Sequence, residues 1–383
     1  MILEKAWGKP CVIYSVTKMY RLLIIKRSIE EIFIFPFILI GNLVGFFKPL
    51  QREYRVYFLF PFFSTGGAEK VHAQIATAAG GADCIIFFTR RSRDSHYLEQ
   101  FKKSGCVIKD ISRFTDNKWL YFLNLAYRGI ISGYINRQKQ APIVFNGQCN
   151  FAYKISPWIS KKLRQIELIH SFNSFAPIRL PFLRFYESQV MVSQQSINDY
   201  KTQYRRLHVP PGISDKIIYI PNGIKLPDSV PEKNFNVSVY DVLFVGRGTS
   251  EKRVHLVARI AEKAKKESLP LRFIFAGDVK NSIPAGLDSY CSLLGTITNE
   301  KQLQDIYSKS HFLILTSIYE GFPLVVMEGM AMGLIILSTP VGDIPFHIKE
   351  NENGFLFDGS DNESITGNAV NQAAAKRPGG RRV

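Results

Sequence analysis

From about residue 54, short apolar runs alternate with amphipathic stretches. The runs have the length of buried strands, and the amphipathic stretches repeat apolar residues at the three- and four-residue spacing of a helix face. In the stretch 68–79, for example, Val71, Ile75 and Ala79 fall on one side of a helix. The predicted strands of this region are 54–63, 84–89, 107–111, 142–145, 167–172 and 190–193, and the longer predicted helices are 68–79, 118–135 and 153–163.

A polar segment with several prolines, 221–240, interrupts this alternation and has the composition of a linker. The same pattern then starts again, with strands predicted at 241–246, 273–276, 312–316 and 335–338 and a helix at 254–264. Strands separated by helices form parallel sheets that are covered on both faces. The sequence therefore predicts an α/β protein with two Rossmann-like, doubly wound domains, 51–225 and 226–366, which face each other across a cleft.

Residues 1–50 precede the first predicted strand and contain an uncharged apolar stretch at 32–47. A bilayer-spanning helix needs about 20 apolar residues, so this stretch is short for a span. Basic residues flank it on both sides: Arg21, Lys26, Arg27, Lys48 and Arg52. We expect residues 1–50 to associate with an anionic membrane surface as an interfacial or monotopic anchor. The alternative is a hydrophobic helix that packs on the protein itself.

The whole chain has 49 Lys and Arg residues against 32 Asp and Glu, a net charge of +17. Such an excess indicates an anionic partner, which can be nucleic acid, anionic lipid or a phosphorylated substrate. With 46% hydrophobic residues, the composition excludes a largely disordered chain. The five cysteines are scattered without a Cys-x-x-Cys pair, so neither a zinc site nor a disulfide framework is predicted.

Two strand-to-helix loops carry residues suited to phosphate binding. The first contains Gly66 and Gly67 directly before a predicted helix, where the backbone can approach a phosphate and the helix amides can face it. The second contains Arg247, which follows a predicted strand, and Lys252 at the start of the next helix. An arginine fork and a lysine point charge can together clamp a diphosphate. Each motif has an ordinary alternative: a tight turn for the glycines, solvated surface cations for Arg247 and Lys252.

A third loop begins with Glu320 at the end of a strand and leads into a helix that starts near Pro323. The amide groups around this helix start can face an anion, while Glu320 can reach sugar hydroxyls. Glu328 lies on the same helix among apolar residues, where an unpaired carboxylate is costly and requires a partner or a ligand. A ribose diol is one such ligand. The residues predicted to surround the donor here are Gly321, Phe322, Pro323, Leu324, Val325 and Glu328.

Taken in order along the chain, these motifs resemble the retaining GT-B glycosyltransferases of family 4, also called glycosyl transferases group 1. The resemblance covers about residues 54–365. It includes Gly66-Gly67-Ala68-Glu69, Pro221-Asn222-Gly223-Ile224, Arg247 with Lys252, Glu320 with Glu328, Val341-Gly342-Asp343-Ile344-Pro345 and Glu352-Asn353-Gly354-Phe355.

The resemblance implies a role for each of these side chains. Arg247 and Lys252 bind the donor diphosphate, which Gly66 and Gly67 approach from the first domain. Glu328 binds the nucleotide ribose and Glu320 the donor sugar.

His170 stands at a strand end where relatives often carry a histidine that lines the cleft. We expect it near the acceptor in a catalytic role; a hydrogen-bonded structural histidine is the alternative. The resemblance implies that neither a metal nor another cofactor is needed, and the absence of an Asp-x-Asp pair from the sequence agrees with this.

By this resemblance the protein moves a sugar from a UDP- or GDP-sugar to a glycan or lipid-linked acceptor, with retention of configuration. The apolar N-terminus adds the expectation of bacterial surface-polysaccharide synthesis by a cytoplasmic protein, peripheral or monotopic on the inner face of the cell membrane. Two alternatives stay open: a GT-B-fold sugar-nucleotide epimerase, and a non-enzymatic basic protein that binds nucleic acid or membrane. Nucleic acid is not an expected partner, because no recognition helix or zinc spacing supports it.

The family pattern stops after about Ile365. Residues 367–383 lack strong apolar periodicity and contain several basic residues. Relatives continue into further helices at this point, so the sequence predicts a truncated C-terminal end with a disordered tail.

Overall fold

The computed structural model describes residues 19–117, 119–172, 176–227, 229–230 and 232–357. The predicted tail at 367–383 lies outside the described residues. Within them, residues 56–219 and 240–356 contain the strands of two separate parallel sheets. The described residues between 220 and 239 belong to no helix or strand, in agreement with the linker composition of this segment.

The first sheet has the strand order β3-β2-β1-β4-β5-β6-β7, with parallel pairing throughout. Its strands are β1 Val56–Phe60, β2 Cys84–Phe88, β3 Val107–Asp110, β4 Ile143–Gly147, β5 Arg164–Ile169, β6 Ser188–Met191 and β7 Ile217–Tyr219. β1 and β2 are buried along their whole length because helices cover both faces of the sheet, which explains their uninterrupted apolar sequences.

Nine helices accompany this sheet within the described residues. They are α1 Met19–Phe47, α2 Gly67–Ala79, α3 Leu98–Lys103, α4 Ser112–Thr115, α5 Tyr121–Asn136, α6 Asn150–Ile155, α7 Ala176–Arg179, α8 Gln194–Arg206 and α9 Pro211–Ser214. The continuous helix predicted at 153–163 is wrong. α6 begins earlier and gives way to a 3₁₀ turn at Ser156–Trp158, because Pro157 has no amide hydrogen to continue the α-helical pattern.

The second sheet has the order β10-β9-β8-β11-β12-β13 and is also parallel. Its strands are β8 Tyr240–Val245, β9 Leu271–Ala276, β10 Cys291–Gly295, β11 Phe312–Leu315, β12 Ile335–Ser338 and β13 Gly354–Leu356, and its helices are α10 Val254–Lys266, α11 Glu300–Lys309, α12 Leu324–Ala331 and α13 Ile344–His347. One face of α10 supplies much of the core beneath this sheet, including Val257 and Ile260.

α1 packs along one side on the first domain, chiefly on α5. Glycines let the two backbones touch: a Cβ atom at Gly41 would lie 1.9 Å from the carbonyl oxygen of Ala126, and one at Gly129 would lie 2.2 Å from that of Ile38. Tyr20, near the start of α1, is buried in the cluster around β5, β6 and α8. α1 therefore packs as part of the first domain.

The other side of α1 is apolar and exposed. Its length and composition alone would allow the helix to cross a membrane. The large exposed side chains on it are Met19, Leu22, Ile25, Ile29, Ile32, Phe33, Phe35, Leu39, Ile40, Leu43, Val44, Phe46 and Phe47. The two interpretations of the N-terminus are thus not exclusive, because one side packs on the protein and the other remains free for a membrane.

Contacts beside the cleft join the two domains. The buried carboxylate of Asp343, in the second domain, accepts hydrogen bonds from the Ser193 hydroxyl at 2.9 Å and from the Gln194 and Gln195 amides at 2.8 Å, at the start of α8. Gly321 approaches the backbone of His170 so closely that a Cβ atom would lie 2.2 Å from its carbonyl oxygen. The first contact places the loop after β12 against the start of α8, and the second places the loop after β11 directly against the loop after β5.

Candidate functional site

A cavity of about 1540 Å³ lies between the two domains. In each sheet the strand order changes direction beside the first strand of the domain, between β1 and β4 and between β8 and β11. Parallel α/β sheets bind ligands beyond the carboxyl ends of the strands at such a point. The loops after β1, β4, β5, β8 and β11 all contribute to the cavity wall. Every one of the predicted site residues lines this cavity.

The glycine loop after β1 leads directly into α2. A Cβ atom at Gly66 would lie 2.0 Å from Oε2 of Glu69, so glycine leaves room for this buried carboxylate. Burial raises the pKa of Glu69, while the charge of Arg247 acts in the opposite direction. Gly67 faces the second domain, with its Cβ position 3.9 Å from Cδ1 of Leu324.

Arg247 follows β8 and faces this glycine loop across the cleft. Its Cζ atom is 3.8 Å from the Cβ position of Gly66. In the part of the chain that the structure describes, Arg247 forms no ion pair within 4.0 Å. A guanidinium without a paired carboxylate in a cavity wall is suited to an anionic ligand.

Lys252 lies in a 3₁₀ turn, Ser250–Lys252, rather than at the start of α10 as predicted. The next residue, Arg253, has a positive φ of 47° and separates the turn from the helix. The Lys252 ammonium donates to Oε1 of Glu320 at 2.5 Å, and the Ser317 hydroxyl donates to the same oxygen at 2.7 Å. The structure thus brings the predicted cation and the predicted sugar-binding carboxylate into direct contact.

Glu328 has the partners that its apolar surroundings require. Lys70, on α2 of the first domain, donates to Oε1 at 2.7 Å, and the hydroxyl of Tyr307 donates to Oε2 at 3.0 Å. Burial, reinforced by the Glu328 charge, raises the pKa of Tyr307 well above its usual value, so this phenol remains a donor. The Lys70–Glu328 pair crosses the cleft and links the two domains at the cavity.

The start of α12 supplies the remaining predicted donor residues. Pro323 directly precedes the helix, whose first residue is Leu324. Phe322 is buried and stacks on His347 at a centroid distance of 4.1 Å, which holds the preceding turn in place. Gly321, Phe322, Pro323, Leu324 and Val325 therefore present backbone to the cavity where the amides of a helix start are unpaired.

His170 is paired with a second histidine that the sequence reasoning missed. Its Nε2 lies 2.9 Å from Nε2 of His72, on α2. Burial lowers the pKa of His170 to about 4, and burial together with the proximity of His170 lowers the pKa of His72 well below its usual value. Both rings are therefore neutral near pH 7, and one donates to the other.

Two of the three residues that sequence reasoning missed lie on one helix. Lys70 and His72 both lie on α2, immediately after the glycine loop, and the third, Tyr307, lies on α11. The spacing carried a weak signal, because Glu69 and His72 are polar residues three positions apart on the buried face of an amphipathic helix. Among the described residues, no group of three or more His, Cys, Asp or Glu side chains could hold a metal ion.

A family model described as Glycosyl transferases group 1 matches residues 240–374. The second domain is a glycosyl transferases group 1 domain. The predicted family resemblance is thereby confirmed for the domain that carries Arg247, Lys252, Glu320 and Glu328.

Curated relatives agree with this assignment. An uncharacterized glycosyltransferase of Methanocaldococcus jannaschii is 28% identical over 49% of this chain and 51% of its own length. A D-inositol 3-phosphate glycosyltransferase of Corynebacterium efficiens is 24% identical over 53% of this chain and 57% of its own. The chain thus spans a little over half the length of each of these relatives.

A solved structure shows the same fold over most of the chain. The crystal structure of Anabaena HepE in complex with UDP-glucose superimposes with a TM-score of 0.62 at 16% identity, over 83% of this chain and 89% of that one. The predicted GT-B arrangement of two Rossmann-like domains is confirmed.

Proposed function

We propose that this chain is a retaining glycosyltransferase that uses a nucleotide-sugar donor. The observation that carries the proposal is the position of Arg247, an unpaired guanidinium that faces the Gly66–Gly67 loop across the cleft of a group 1 domain. The cavity is larger than the roughly 300–1,000 Å³ of a typical small-molecule pocket, which suits a donor and an acceptor together. A structural neighbour with the same fold binds UDP-glucose, which supports this class of donor.

In this proposal the donor diphosphate lies between Arg247, Lys252 and the start of α12. Breaking the bond between sugar and diphosphate leaves negative charge on the phosphate oxygens, and preorganised cations and amides stabilise that charge without a metal. Glu320 receives the sugar hydroxyls, and its contact with Lys252 holds both groups at the reacting centre. Glu328 accepts the ribose hydroxyls beside Lys70 and Tyr307.

His170 faces the acceptor side of the cavity in the same proposal. A neutral imidazole can hydrogen-bond an acceptor hydroxyl without placing a positive charge beside the oxocarbenium-like sugar. His72 holds the ring of His170 through the contact between their Nε2 atoms. If the leaving diphosphate takes the proton of the acceptor hydroxyl, no side chain has to act as the catalytic base.

A titration of UDP, UDP-glucose, GDP and GDP-mannose into the full chain tests the donor site. We expect one nucleotide class to bind, and Arg247→Met to weaken it by about tenfold or more, because a charged hydrogen bond contributes roughly 1.5–3 kcal/mol. The matched control is Arg259→Met on the exposed side of α10, which should bind as the wild type does. Undiminished binding by Arg247→Met would remove the diphosphate role.

Release of free nucleotide distinguishes transfer from epimerisation. A transferase releases UDP or GDP in step with glycosylation of an acceptor, whereas an epimerase interconverts the sugar without net transfer. Product analysis of a reaction supplied with membrane lipid extract reports both. Conversion of the donor sugar to its epimer, without any glycosylated acceptor, would favour the epimerase.

We also propose that the exposed side of α1 binds an anionic membrane surface. Phe33 and Phe47 are 75% and 77% exposed, and the basic residues Arg21, Lys26 and Lys48 are exposed on the same helix or directly after it. This combination of apolar and basic side chains is typical of interfacial helices. The contacts of α1 with α5 favour a helix that lies along the surface, because crossing the bilayer would separate the two.

Sedimentation with lipid vesicles tests this surface. Replacing Ile32, Phe33 and Phe47 with serine should release the protein from vesicles that contain anionic lipid. Leu226→Ser is the control, since this linker residue is 68% exposed but distant in sequence from α1. If the triple variant sediments as the wild type does, the membrane contact lies elsewhere.

A further inference from the structure

One region of the cavity wall carries cations that the donor proposal does not use. Tyr121 and Asn124, on α5, and Lys154, on α6, all line the cavity. Arg128 lies one helical turn beyond Asn124 and is completely buried. These four side chains belong to the first domain, which in the proposed function holds the acceptor.

Hydrogen bonds organise the region around Arg128. Its Nη2 donates to the hydroxyl oxygen of Tyr121 at 3.0 Å and to Oδ1 of Asn124 at 3.0 Å, and its Nε donates to the same Oδ1 at 3.1 Å. Asn124 in turn donates to the carbonyl of Thr115 at 2.6 Å. Since Tyr121 accepts from Arg128, its own hydroxyl proton is free to point into the cavity.

The positive charge of this region is not neutralised locally. Neither Arg128 nor Lys154 forms an ion pair with any carboxylate in the described ranges, and Nη1 of Arg128 is buried there without a hydrogen-bond partner. Lys154 Nζ lies 5.9 Å from the Tyr121 ring centroid. Burial lowers the pKa of both cations, as expected where nearby charge is uncompensated.

The acidic groups nearby are already engaged. Glu30, on α1, accepts from Arg27 at 3.0 Å. Asp116, in the cavity wall, pairs with Arg90 at 3.7 Å and accepts from the Arg91 amide at 3.1 Å. A buried positive charge without a counter-charge destabilises the fold unless a ligand supplies the opposite charge.

We propose that Tyr121 and Lys154, with Arg128 behind them, form a subsite for a phosphate group of the acceptor. This inference rests on the proposed function, because it assigns the ligand of the same cavity on the acceptor side. A phosphate offers several acceptor oxygens and between one and two negative charges, which match a phenol donor, an ammonium and a guanidinium. Asn124 positions Arg128 and does not need to touch the ligand.

Apolar side chains lie next to this subsite in the chain. Trp119 is 94% exposed and Phe122 is 51% exposed, on either side of Tyr121. A phosphate that carries a hydrocarbon chain would satisfy both the cations and this apolar surface. A water-soluble phosphorylated glycan would use the cations alone.

Calorimetric titration of the full chain with dodecyl phosphate, below its micellar concentration, and with inorganic phosphate tests the subsite. We expect the wild type to bind dodecyl phosphate and Lys154→Met to bind it at least about tenfold more weakly, through loss of a charge-assisted hydrogen bond. Tyr121→Phe should weaken binding as well while preserving the ring. Lys161→Met, an exposed lysine near α6, is the control and should have no effect.

UDP titrations of the same proteins keep the two proposals distinguishable. We expect Lys154→Met to bind UDP as the wild type does, since Lys154 is not part of the proposed donor site. Absence of UDP binding in every protein would refute the donor proposal, and the phosphate result would still stand. Tighter binding of dodecyl phosphate than of inorganic phosphate supports a lipid-linked acceptor; equal binding supports a soluble one.

Three results would overturn the subsite. The first is that the wild type does not bind dodecyl phosphate. The second is that Lys154→Met and Tyr121→Phe bind it as tightly as the wild type does. The third is competition between dodecyl phosphate and UDP. Competition would place the phosphate at the diphosphate site instead.

Discussion

Replacing Gly129 with alanine tests the contact between α1 and α5 through the sign of its effect. In an exposed helix position, alanine stabilises relative to glycine by about 1 kcal/mol. At Gly129, however, the new Cβ atom would lie 2.2 Å from the carbonyl oxygen of Ile38 and 2.9 Å from its Cα and carbonyl carbon. These are backbone atoms of α1, which cannot rotate away as a side chain can.

The expected loss of stability in Gly129→Ala follows from the lack of space between α1 and α5. Ordinary contact begins at 3.4 Å, so α1 must move away from α5 by about 1.2 Å at this point. Overpacking of this kind costs typically 1–3 kcal/mol, and a rigid backbone neighbour places Gly129→Ala near the upper end of that range. After subtraction of the gain in helix propensity, we expect a net loss of about 2 kcal/mol. For a domain of this size that corresponds to a fall in Tm of about 4–8 °C.

Tryptophan fluorescence can follow this unfolding selectively. The chain contains three tryptophans, Trp7, Trp119 and Trp158, and all three precede the linker. Trp158 also stacks on Phe35 of α1 at a centroid distance of 6.2 Å, so its emission reports the helix contact directly. The control is Gly212→Ala, where no atom lies within 4 Å of the Cβ position. A Gly129→Ala protein as stable as the wild type, or more stable, would show that α1 does not pack on α5 in solution.

Three further predictions concern the cleft. In a double-mutant cycle with Lys70→Met and Glu328→Gln, urea unfolding should give a coupling energy of at least about 0.5 kcal/mol, because the pair is largely shielded from water. Zero coupling would contradict the contact across the cleft. Asp343→Asn should lower the free energy of unfolding by about 1–3 kcal/mol, because an amide NH₂ would face the donors at the start of α8. An unchanged midpoint of urea unfolding would argue against this contact between the domains. The free energy of unfolding should fall as the pH drops from about 6.5 towards 4. Burial depresses the pKa values of His72 and His170 in the folded state, so in this pH range only the unfolded chain takes up protons at these histidines. The decrease should be smaller in a variant with glutamine at both positions.

The sequence predicted the two sheets because their central strands are buried on both faces. β1, β2 and β11 are uninterrupted apolar runs. Such a run has no polar face, so its pattern cannot be confused with that of an amphipathic helix. The strands that sequence reasoning missed, β7, β10 and β13, lie at or next to a sheet edge. Edge strands are half solvated and need only three to five residues, so β7 and β10 carry exposed positions and a mixed pattern.

α1 shows how tertiary contacts extend an element beyond its apolar signal. The uncharged stretch begins at Ile32, but the helix begins at Met19 and passes through Arg27, Glu30 and Glu31. These charges are tolerated because Arg27 pairs with both glutamates and lies over the Phe182 ring at 5.0 Å. Neither the i,i+3 and i,i+4 pairing nor the distant ring is part of a hydropathy pattern.

In the candidate site, too, some features could be predicted from the sequence and others could not. Single residues could be placed from their loops, because strand ends and helix starts are recognisable in sequence. Their partners could not: Lys70 and Glu328 lie in different domains, and so do His170 and Gly321. Glu328 is the instructive case, since its apolar surroundings did predict that it requires a partner, but only the folded cleft identifies Lys70 and Tyr307 as the partners.

α5 connects the two surfaces that the proposals concern. Gly129 and Gly133 contact α1, whose outer side is apolar, while Tyr121 and Asn124 on the same helix reach the cavity. A helix with its side chains is about 10–12 Å across, so the apolar surface and the cation cluster are separated by roughly one to two helix diameters. If both proposals hold, a phosphate attached to a membrane-embedded chain would enter the cavity close to the bilayer surface. Arg27 and Glu30 of α1 are also among the charges that act on Arg128, so an outward shift of α1 in Gly129→Ala should weaken dodecyl phosphate binding while the apolar side of α1 stays exposed.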